Sequence, residues 1–147
     1  MFRWSQHQLM FLLVHPGGPF WAKKDEGAWS IPKGEFDPEE DPLSAAIREL
    51  QEETGAVADG PFIHLSPLRQ KSGKIIHAWA CEGDFDLQYF KSNLFKMEWP
   101  PRSGKSAEFP EVDKAGWFSI EDALVKLSTG QHGFIHELIE LLNKQDV

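Results

Sequence analysis

The sequence has 147 residues and a formal net charge of −8, from 23 acidic and 15 basic side chains. This acidic balance argues against a protein that follows a nucleic-acid backbone, because such a protein needs a basic stripe. Hydrophobic residues make up 41% of the chain and charged residues 26%, which is ordinary globular usage and argues against disorder. We expect a single domain over residues 1–147, with neither a nucleic-acid polymer nor a membrane as partner.

One cysteine and one short apolar run bear on where the protein works. Cys81 is the only cysteine, which excludes an internal disulfide and a cysteine-based zinc cluster and favours a reducing compartment. The apolar run over residues 9–14 stops at His15 and Pro16. It is too short for a signal peptide or for the ~20 residues that cross a bilayer. We therefore expect a soluble, cytoplasmic protein in which this run is a buried strand.

Apolar stretches bounded by glycine and proline predict short strands along the whole chain. They cover residues 8–15, 19–23, 28–31, 62–69, 74–82 and 112–118. The stretch over residues 83–111 is rich in aromatic and polar side chains and contains Trp99, followed by two prolines. We predict an extended loop there, and long loops in compact domains are often functional.

Three segments carry helical periodicity together with end signals. The first begins with Asp41 as the N-cap, followed by a proline, and ends at Gly55. The second begins at Ser119 and ends before Gly130, and the third covers residues 132–144. Strands around a few helices, without an internal repeat, predict a mixed α/β sandwich.

The first predicted helix carries three crowded glutamates, Glu49, Glu52 and Glu53. At about 100° per residue they flank the apolar stripe that faces the core, so they lie close together and repel each other. Arg48 supplies one positive charge, four residues before Glu52. A hard divalent cation such as Mg²⁺ would supply the rest, and Mg²⁺ sites usually also bind substrate phosphates. Taken alone, these residues also fit a solvated acidic face steadied by lysine and arginine.

The residues ahead of this helix extend the acidic pattern into a longer motif. Counted from Gly34, five residues lead to Glu40, and seven more lead to residues 48–56, which read RELQEETGA. This spacing resembles the signature of the Nudix hydrolases. Ala56 is smaller than the bulky aliphatic residue usual at the last position of that signature. The resemblance implies the family's αβα sandwich, an α/β (α+β) fold with a mixed β-sheet between helices.

The resemblance also implies a chemistry. Members of this family hydrolyse a phosphoanhydride in a nucleoside diphosphate linked to another group, using water and Mg²⁺ or Mn²⁺. Carried over to this sequence, the metal ligands are Glu49, Glu52, Glu53 and the carbonyl oxygen of Gly34. Arg48 and Glu40 would brace the loop against the helix, Arg48 by pairing with its acidic neighbours.

Family members differ in which carboxylate accepts the proton of the attacking water, and two sources stay open for this chain. One is a glutamate of the motif, and the other is an acid from a loop. Glu111 is our loop candidate, because it precedes an aromatic-rich strand as the loop acid does in the family. The alternative for Glu111 is an ordinary exposed loop glutamate. Glu98, Glu108 and Asp113 are further candidates nearby.

The substrate is less defined than the chemistry. Lys33 resembles the lysine of members that act on dinucleoside polyphosphates, where it binds phosphate as a point charge; the alternative is a surface lysine in a turn. Further candidates are Arg69, Arg102 and Lys105 for phosphate, and Trp99 or Phe109 for stacking on a base. The proline typical of ADP-ribose members and the tyrosine typical of dinucleoside polyphosphate members are absent from the expected positions. We expect a small nucleotide of the nucleoside triphosphate or dinucleoside polyphosphate type.

Two other functions stay open at this level. One is a catalytically silent nucleotide-binding or sensor module with the same fold, although a pure binding module has little need of three crowded carboxylates. The other is a protein-interaction scaffold that uses the loop around residues 99–101. The sequence also leaves open whether the chain forms a homodimer.

Overall fold

The computed structural model describes residues 1–33 and 38–145. Its strands are β1 (Phe2–Ser5), β2 (Gln8–Pro16), β3 (Phe62–His64), β4 (Leu68–Arg69), β5 (Ile75–Ile76), β6 (Trp79–Cys81), β7 (Leu94–Glu98), β8 (Ser106–Pro110) and β9 (Val112–Ser119). Its α-helices are α1 (Pro42–Thr54), α2 (Ile120–Lys126) and α3 (His132–Gln145). Short 3₁₀ turns lie at Leu87–Tyr89 and Thr129–Gln131.

β2 is the middle strand of the main sheet. It pairs antiparallel with β1 on one side and with β9 on the other. A parallel bridge between Phe2 and Glu82 continues the sheet to the end of β6, which pairs antiparallel with β3. The sheet is therefore mixed, as the sequence predicts.

The two faces of β2 bury against different helices, which explains its unbroken apolar run. Leu13 belongs to a buried cluster that holds the following side chains of α2 and α3: Ala123, Phe134, Ile135 and Leu138. Leu12 points to the opposite face, where it clusters with Leu50 of α1 and Trp117 of β9. The chain thus forms an αβα sandwich around a mixed sheet, and the predicted fold class is confirmed.

Helix α1 has the ends that the sequence predicts. The Asp41 side chain accepts a hydrogen bond from the backbone N–H of Ser44 at 3.0 Å, which caps the N-terminus. Gly55 ends the helix in the left-handed region, with φ of 90°, and its N–H donates to the Gln51 carbonyl at 2.8 Å. Both ends are fixed by local chemistry, so the glutamates on this helix have a defined position.

The structure differs from the prediction in the outer parts of the sheet. Residues 19–23 form consecutive turns, not a strand, after Gly18 takes a φ of 94°. Residues 28–31 make only single bridges, through Trp29 and Ser30. The predicted strands over 62–69 and 74–82 are each divided in two, and β1 is an additional strand that the sequence pattern did not indicate.

The largest difference is residues 83–111, where the predicted extended loop was wrong. β7 and β8 form an antiparallel hairpin in which Phe95 pairs with Phe109 and Met97 with Ala107. These four side chains are more shielded than their exposed neighbours. That alternation was a readable strand signal, but the proline-rich turn at the tip of the hairpin obscured it.

The end of α2 also differs from the prediction. The helix ends at Lys126, ahead of the predicted stop near Gly130, because Leu127 takes extended backbone angles (φ −72°, ψ 140°). The side chain of Leu127 is fully buried. Within the described parts of the chain, no helix combines the length and apolar character that crossing a membrane requires.

Candidate active site

Helix α1 holds its three glutamates at different depths. Glu53 is buried, with 7% of its surface exposed, and its Oε2 accepts a hydrogen bond from the backbone N–H of Lys33 at 2.9 Å. The side chain of Glu49 is 12% exposed and that of Glu52 is 37% exposed. The helix therefore presents a row of carboxylates that runs from the interior to the solvent.

Burial and mutual repulsion raise the pKa of two of these carboxylates. Burial raises the pKa of Glu53 to about 8; the charges of Glu49 and Glu111 add to the increase, and the hydrogen bond from Lys33 opposes it. Burial also raises the pKa of Glu49, with Arg48 opposing and with the neighbouring glutamates adding to the increase. At pH 7 Glu53 is therefore mostly protonated, and a cation that binds its carboxylate must displace that proton.

Arg48 ties α1 to the residues ahead of it. Its Nε donates to Oε1 of Glu40 at 2.9 Å and its Nη2 donates to Oε2 of Glu40 at 3.1 Å. Its Nη1 lies between two glutamates of α1, 3.1 Å from Glu49 and 3.0 Å from Glu52. The hydrogen bonds with Glu40, and to a lesser extent the one with Glu52, raise the pKa of the Arg48 guanidinium above its usual range. The predicted pairing of Arg48 with its acidic neighbours is thus present in the structure.

Two backbone hydrogen bonds attach the segment of Glu111 to helix α1. The N–H of Glu111 donates to the Asn93 carbonyl at 2.8 Å, and the N–H of Asn93 donates to the Glu52 carbonyl at 3.0 Å. Asn93 lies just before β7, so the base of the hairpin is attached to the C-terminal turn of α1. The charge of Glu111 contributes to the raised pKa values of Glu49 and Glu53. We call Glu49, Glu52, Glu53 and Glu111 the glutamate cluster.

The other loop acids have different surroundings. Glu98 is at the end of β7 farthest from Asn93, and Glu108 lies 3.6 Å from the Lys96 ammonium across the hairpin. Asp113 makes a 2.7 Å hydrogen bond with Nδ1 of the buried His15. Of the four loop acids predicted as candidate bases, Glu111 is the one whose charge acts on the glutamates of α1.

Lys33 lies directly beside the buried carboxylate. Partial burial lowers the pKa of its ammonium, the positive charge of Lys74 lowers it further, and Glu53 opposes both effects. The predicted ligand Gly34, which follows Lys33, lies outside the described residues. The structure therefore places Lys33 at the edge of the glutamate cluster.

A cavity opens next to Lys33, and sequence reasoning missed it. Its volume is about 370 Å³, within the roughly 300–1,000 Å³ of small-molecule sites. Lys33, Glu49, Lys74 and Trp79 are among the residues that line it. We call it the lysine cavity. Lys74 gave no sequence signal beyond its charge, because its approach to Lys33 depends on the tertiary fold.

The glutamate cluster fits a divalent cation in donor type and charge. Its members are hard oxygen donors whose repulsion a cation would relieve, and Mg²⁺ and Mn²⁺ prefer such donors. In the described residues, however, no three acidic, histidine or cysteine side chains converge as a ready metal site. Arg48 lies between Glu49 and Glu52, so binding a metal requires these side chains to rearrange.

The remaining predicted contact residues lie in the strands and turns outside α1. Arg69 is exposed on β4, and Arg102 and Lys105 are exposed in the turn between β7 and β8. The ring of Trp99 packs edge to face on Phe20, with centroids 5.7 Å apart, and Phe109 contacts Phe95 at 6.0 Å. These ring contacts lie within the hairpin and between the hairpin and Phe20. The predicted contacts of these residues with substrate stay predictions.

Comparison with protein-family models gives one match that covers most of the chain. Residues 3–138 match the model described as the NUDIX domain. Among curated relatives, the asymmetrical bis(5'-nucleosyl)-tetraphosphatase of Rattus norvegicus is 37% identical over 67 residues, 41% of this chain and 46% of that protein. The RNA pyrophosphohydrolase of Erythrobacter litoralis is 56% identical over 36 residues, 24% of this chain and 22% of that protein. The chain thus spans less than half the length of these relatives.

Comparison with solved structures extends the likeness to the whole chain. The Ap4A hydrolase of C. elegans, in a binary complex, superposes with a TM-score of 0.68. The match covers 97% of this chain and 94% of that one, at 21% sequence identity. At this identity the similarity is one of fold.

Proposed function

Since the chain belongs to the Nudix family, we propose that it hydrolyses a phosphoanhydride bond in a nucleoside diphosphate-linked substrate with the help of Mg²⁺. The substrate would be a nucleoside triphosphate or a dinucleoside polyphosphate. One observation carries the proposal. Burial, together with the charges of other glutamates that include Glu111 from a distant segment, raises the pKa values of Glu49 and Glu53. Burying carboxylates near one another is costly for a purely structural surface and suits a cation site.

Each residue of the site has a physical role in this proposal. Glu49, Glu52 and Glu53 would hold the metal, with the Gly34 carbonyl as a further ligand. A bound Mg²⁺ would neutralise phosphate oxygens and lower the pKa of a bound water. Arg48 and Glu40 position α1 against the preceding residues, so that the carboxylates are held in place before substrate arrives.

Two residues would act on the substrate directly. Lys33 would provide a positive charge for a phosphate group next to the carboxylates, in addition to the charge of the metal. Glu111 is the candidate base that takes a proton from the attacking water, because it comes from a separate segment and its charge acts on Glu49 and Glu53. A glutamate of α1 is the alternative base.

The direct test is hydrolysis of a substrate panel in the presence of Mg²⁺. The panel comprises nucleoside triphosphates, dinucleoside polyphosphates, nucleotide sugars and ADP-ribose, with release of phosphate and of nucleoside monophosphate as the readout. We expect turnover of at least one substrate with three or more phosphates. Glu52→Gln should lower it by at least about 100-fold, since even residues behind a metal ligand are worth 10–100-fold.

The matched control is Glu140→Gln, which makes the same change at an exposed position of α3. It should keep the activity of the unmodified protein, and both variants should keep its thermal stability.

A second candidate function, a silent nucleotide-binding module, is favoured by the position of Arg48 between Glu49 and Glu52. Tight nucleotide binding without turnover of any panel member would support that module and refute the hydrolase.

A further inference from the structure

His15, near the end of β2, is a buried polar residue to which the proposed reaction gives no role. It is 1% exposed, and its ring packs edge to face on Trp29, with centroids 5.4 Å apart. Its Nδ1 lies 2.7 Å from Oδ1 of Asp113, and its Nε2 lies 2.6 Å from the backbone carbonyl oxygen of Lys24. Both are hydrogen-bond distances, so each ring nitrogen is bonded to a different segment of the chain.

Both groups that face the ring are hydrogen-bond acceptors. A carbonyl oxygen has no proton to donate, and neither has an ionised carboxylate, so the ring bonds to both as an imidazolium, in which both nitrogens donate. Moving either Asp113 or Lys24 away would leave a buried N–H of His15 without a partner, which is unfavourable. The ring therefore opposes movement of both segments.

Asp113 reaches His15 through a bulge in β9. His15 pairs with Lys114, but the next residue of β2 pairs with Val112, so Asp113 is an extra residue in β9. In a regular ladder Asp113 would point to the opposite face from His15, since successive side chains of a strand alternate. The bulge turns it towards the ring and shifts the register of the residues before it. Glu111 comes directly before β9, so its position relative to β2 depends on this bulge.

The segment that follows His15 contacts Glu111 directly. The N–H of Gly17 donates to the carbonyl oxygen of Glu111 at 2.9 Å. A Cβ at Gly17 would lie 2.0 Å from the carbonyl oxygen of Pro110, so this approach requires glycine. The turns after Gly17 bring the chain back to Lys24, which His15 contacts. The ring thus joins the two chain segments that lie on either side of the contact with Glu111.

We propose that His15 is a positioning residue for Glu111. Through Asp113 it holds the bulge that sets the position of the Glu111 segment, and through Lys24 it holds the turns that begin at Gly17. When these bonds are lost, the carboxylate of Glu111 departs from the place where it takes the proton of the attacking water. Turnover then falls, while binding of substrate at the other residues is retained. This inference rests on the proposed function, in which Glu111 is the candidate base.

The first test changes the acceptor at Asp113, whose side chain is 28% exposed, and leaves the buried ring intact. In Asp113→Asn the amide can donate to Nδ1 of a neutral ring whose Nε2–H still donates to Lys24, so both contacts are kept. We expect Asp113→Asn to keep the kcat of the unmodified protein for the panel member that turns over fastest. Asp113→Ala should lower kcat about 10–100-fold, since small misplacements of a catalytic group have effects of this size, and should change KM little.

The matched control is Asp59→Ala, which makes the same truncation at an exposed position between α1 and β3. It should keep the kcat of the unmodified protein. Equal kcat values for Asp113→Asn and Asp113→Ala would overturn the proposal.

A double-mutant cycle separates the positioning of Glu111 from a general structural role. His15→Gln keeps a donor that can face Lys24 and removes the donor that faces Asp113. It should lower kcat about 10–100-fold in the unmodified protein and have no further effect in Glu111→Gln, because a base that is absent cannot be misplaced. An equal loss in both backgrounds would overturn the proposal and leave the hydrolase intact.

Amide hydrogen exchange, followed by NMR, requires no turnover and so separates the two proposals. The N–H groups of Gly17 and Glu111 should lose protection in His15→Gln and in Asp113→Ala, and keep it in Asp113→Asn. Turnover by the unmodified protein, with unchanged exchange in His15→Gln, would overturn the positioning role alone. Absence of any turnover would refute the hydrolase, whereas the exchange result would still decide whether His15 holds the segment of Glu111.

Discussion

The glutamate cluster and the lysine cavity lie side by side, share Glu49 and arise from the sequence in different ways. Three of the four glutamates stand on one helix at fixed spacing, so their proximity follows from helical geometry. The two lysines approach each other only because β5 is folded against the segment ahead of α1. The metal ligands that we propose on α1 are therefore encoded locally, whereas the lysine cavity depends on tertiary structure.

The largest expected effect tests whether catalysis requires Glu111 in addition to the glutamates of α1. Glu111→Gln keeps the size of the side chain and removes the proton acceptor that we assign to it. We expect kcat to fall about 10²–10⁴-fold, the usual contribution of a general base, while Mg²⁺ still raises the melting temperature. Glu108→Gln on the neighbouring strand should leave kcat unchanged.

An unchanged kcat in Glu111→Gln would assign the base to α1 itself. The catalytic carboxylates would then all lie on α1, close together in the sequence. The contrast with the lysine cavity, which depends on the tertiary fold, would be greater. Loss of the Mg²⁺ effect on melting temperature would instead make Glu111 a metal ligand.

A smaller effect is expected at Arg48, which joins the helix to Glu40. Arg48→Ala removes the cation between Glu49 and Glu52 and the bidentate bond to Glu40. We expect kcat/KM to fall about 10–100-fold, as for other residues that position metal ligands. Arg48→Lys keeps the charge without the planar fork, so it should recover only part of the loss. Full recovery by lysine would mean that charge alone matters.

The sequence predicted α1 well because every signal was local. Asp41 and Gly55 fixed the helix ends, and the spacing of the glutamates followed from the helix. The hairpin of β7 and β8 was not predicted, because the two prolines that follow Trp99 suggested a loop and outweighed the alternation of Phe95 and its neighbours. Glu111 stays a predicted base, and the backbone hydrogen bonds that attach its segment to α1 depend on the tertiary structure, which the sequence pattern does not give.

The pH dependence of stability reports directly on the buried acid. The folded-state pKa of Glu53 is about 8, above its ordinary value of 4.5. Its contribution to stability is therefore complete below about pH 4.5 and is lost as the pH rises through about 8. In EDTA, we expect the melting temperature to decrease from pH 5 to pH 9, and Glu53→Gln to make that decrease shallower. Glu140→Gln should retain the full decrease.

The smallest expected effect concerns the end of the acidic helix. Gly55 and Gly73 both have φ of 90°, but a Cβ at Gly55 would lie 3.3 Å from the Tyr89 carbonyl oxygen, whereas a Cβ at Gly73 meets nothing within 4 Å. Gly73→Ala should lower the free energy of unfolding by about 1–2 kcal/mol, the cost of the left-handed conformation. Gly55→Ala should lower it by more, measured by denaturant titration. Equal losses would mean that the contact with Tyr89 is unimportant.

The central claim is that the crowded carboxylates are a cation site. It is tested most directly by calorimetric titration of Mg²⁺ into the protein at pH 7, in buffers with different heats of ionisation. We predict binding with release of a proton, because Glu53 must lose its proton to bind the metal, and Glu53→Gln should abolish that release. Absence of binding heat at millimolar Mg²⁺, with an unchanged melting temperature, would contradict the account.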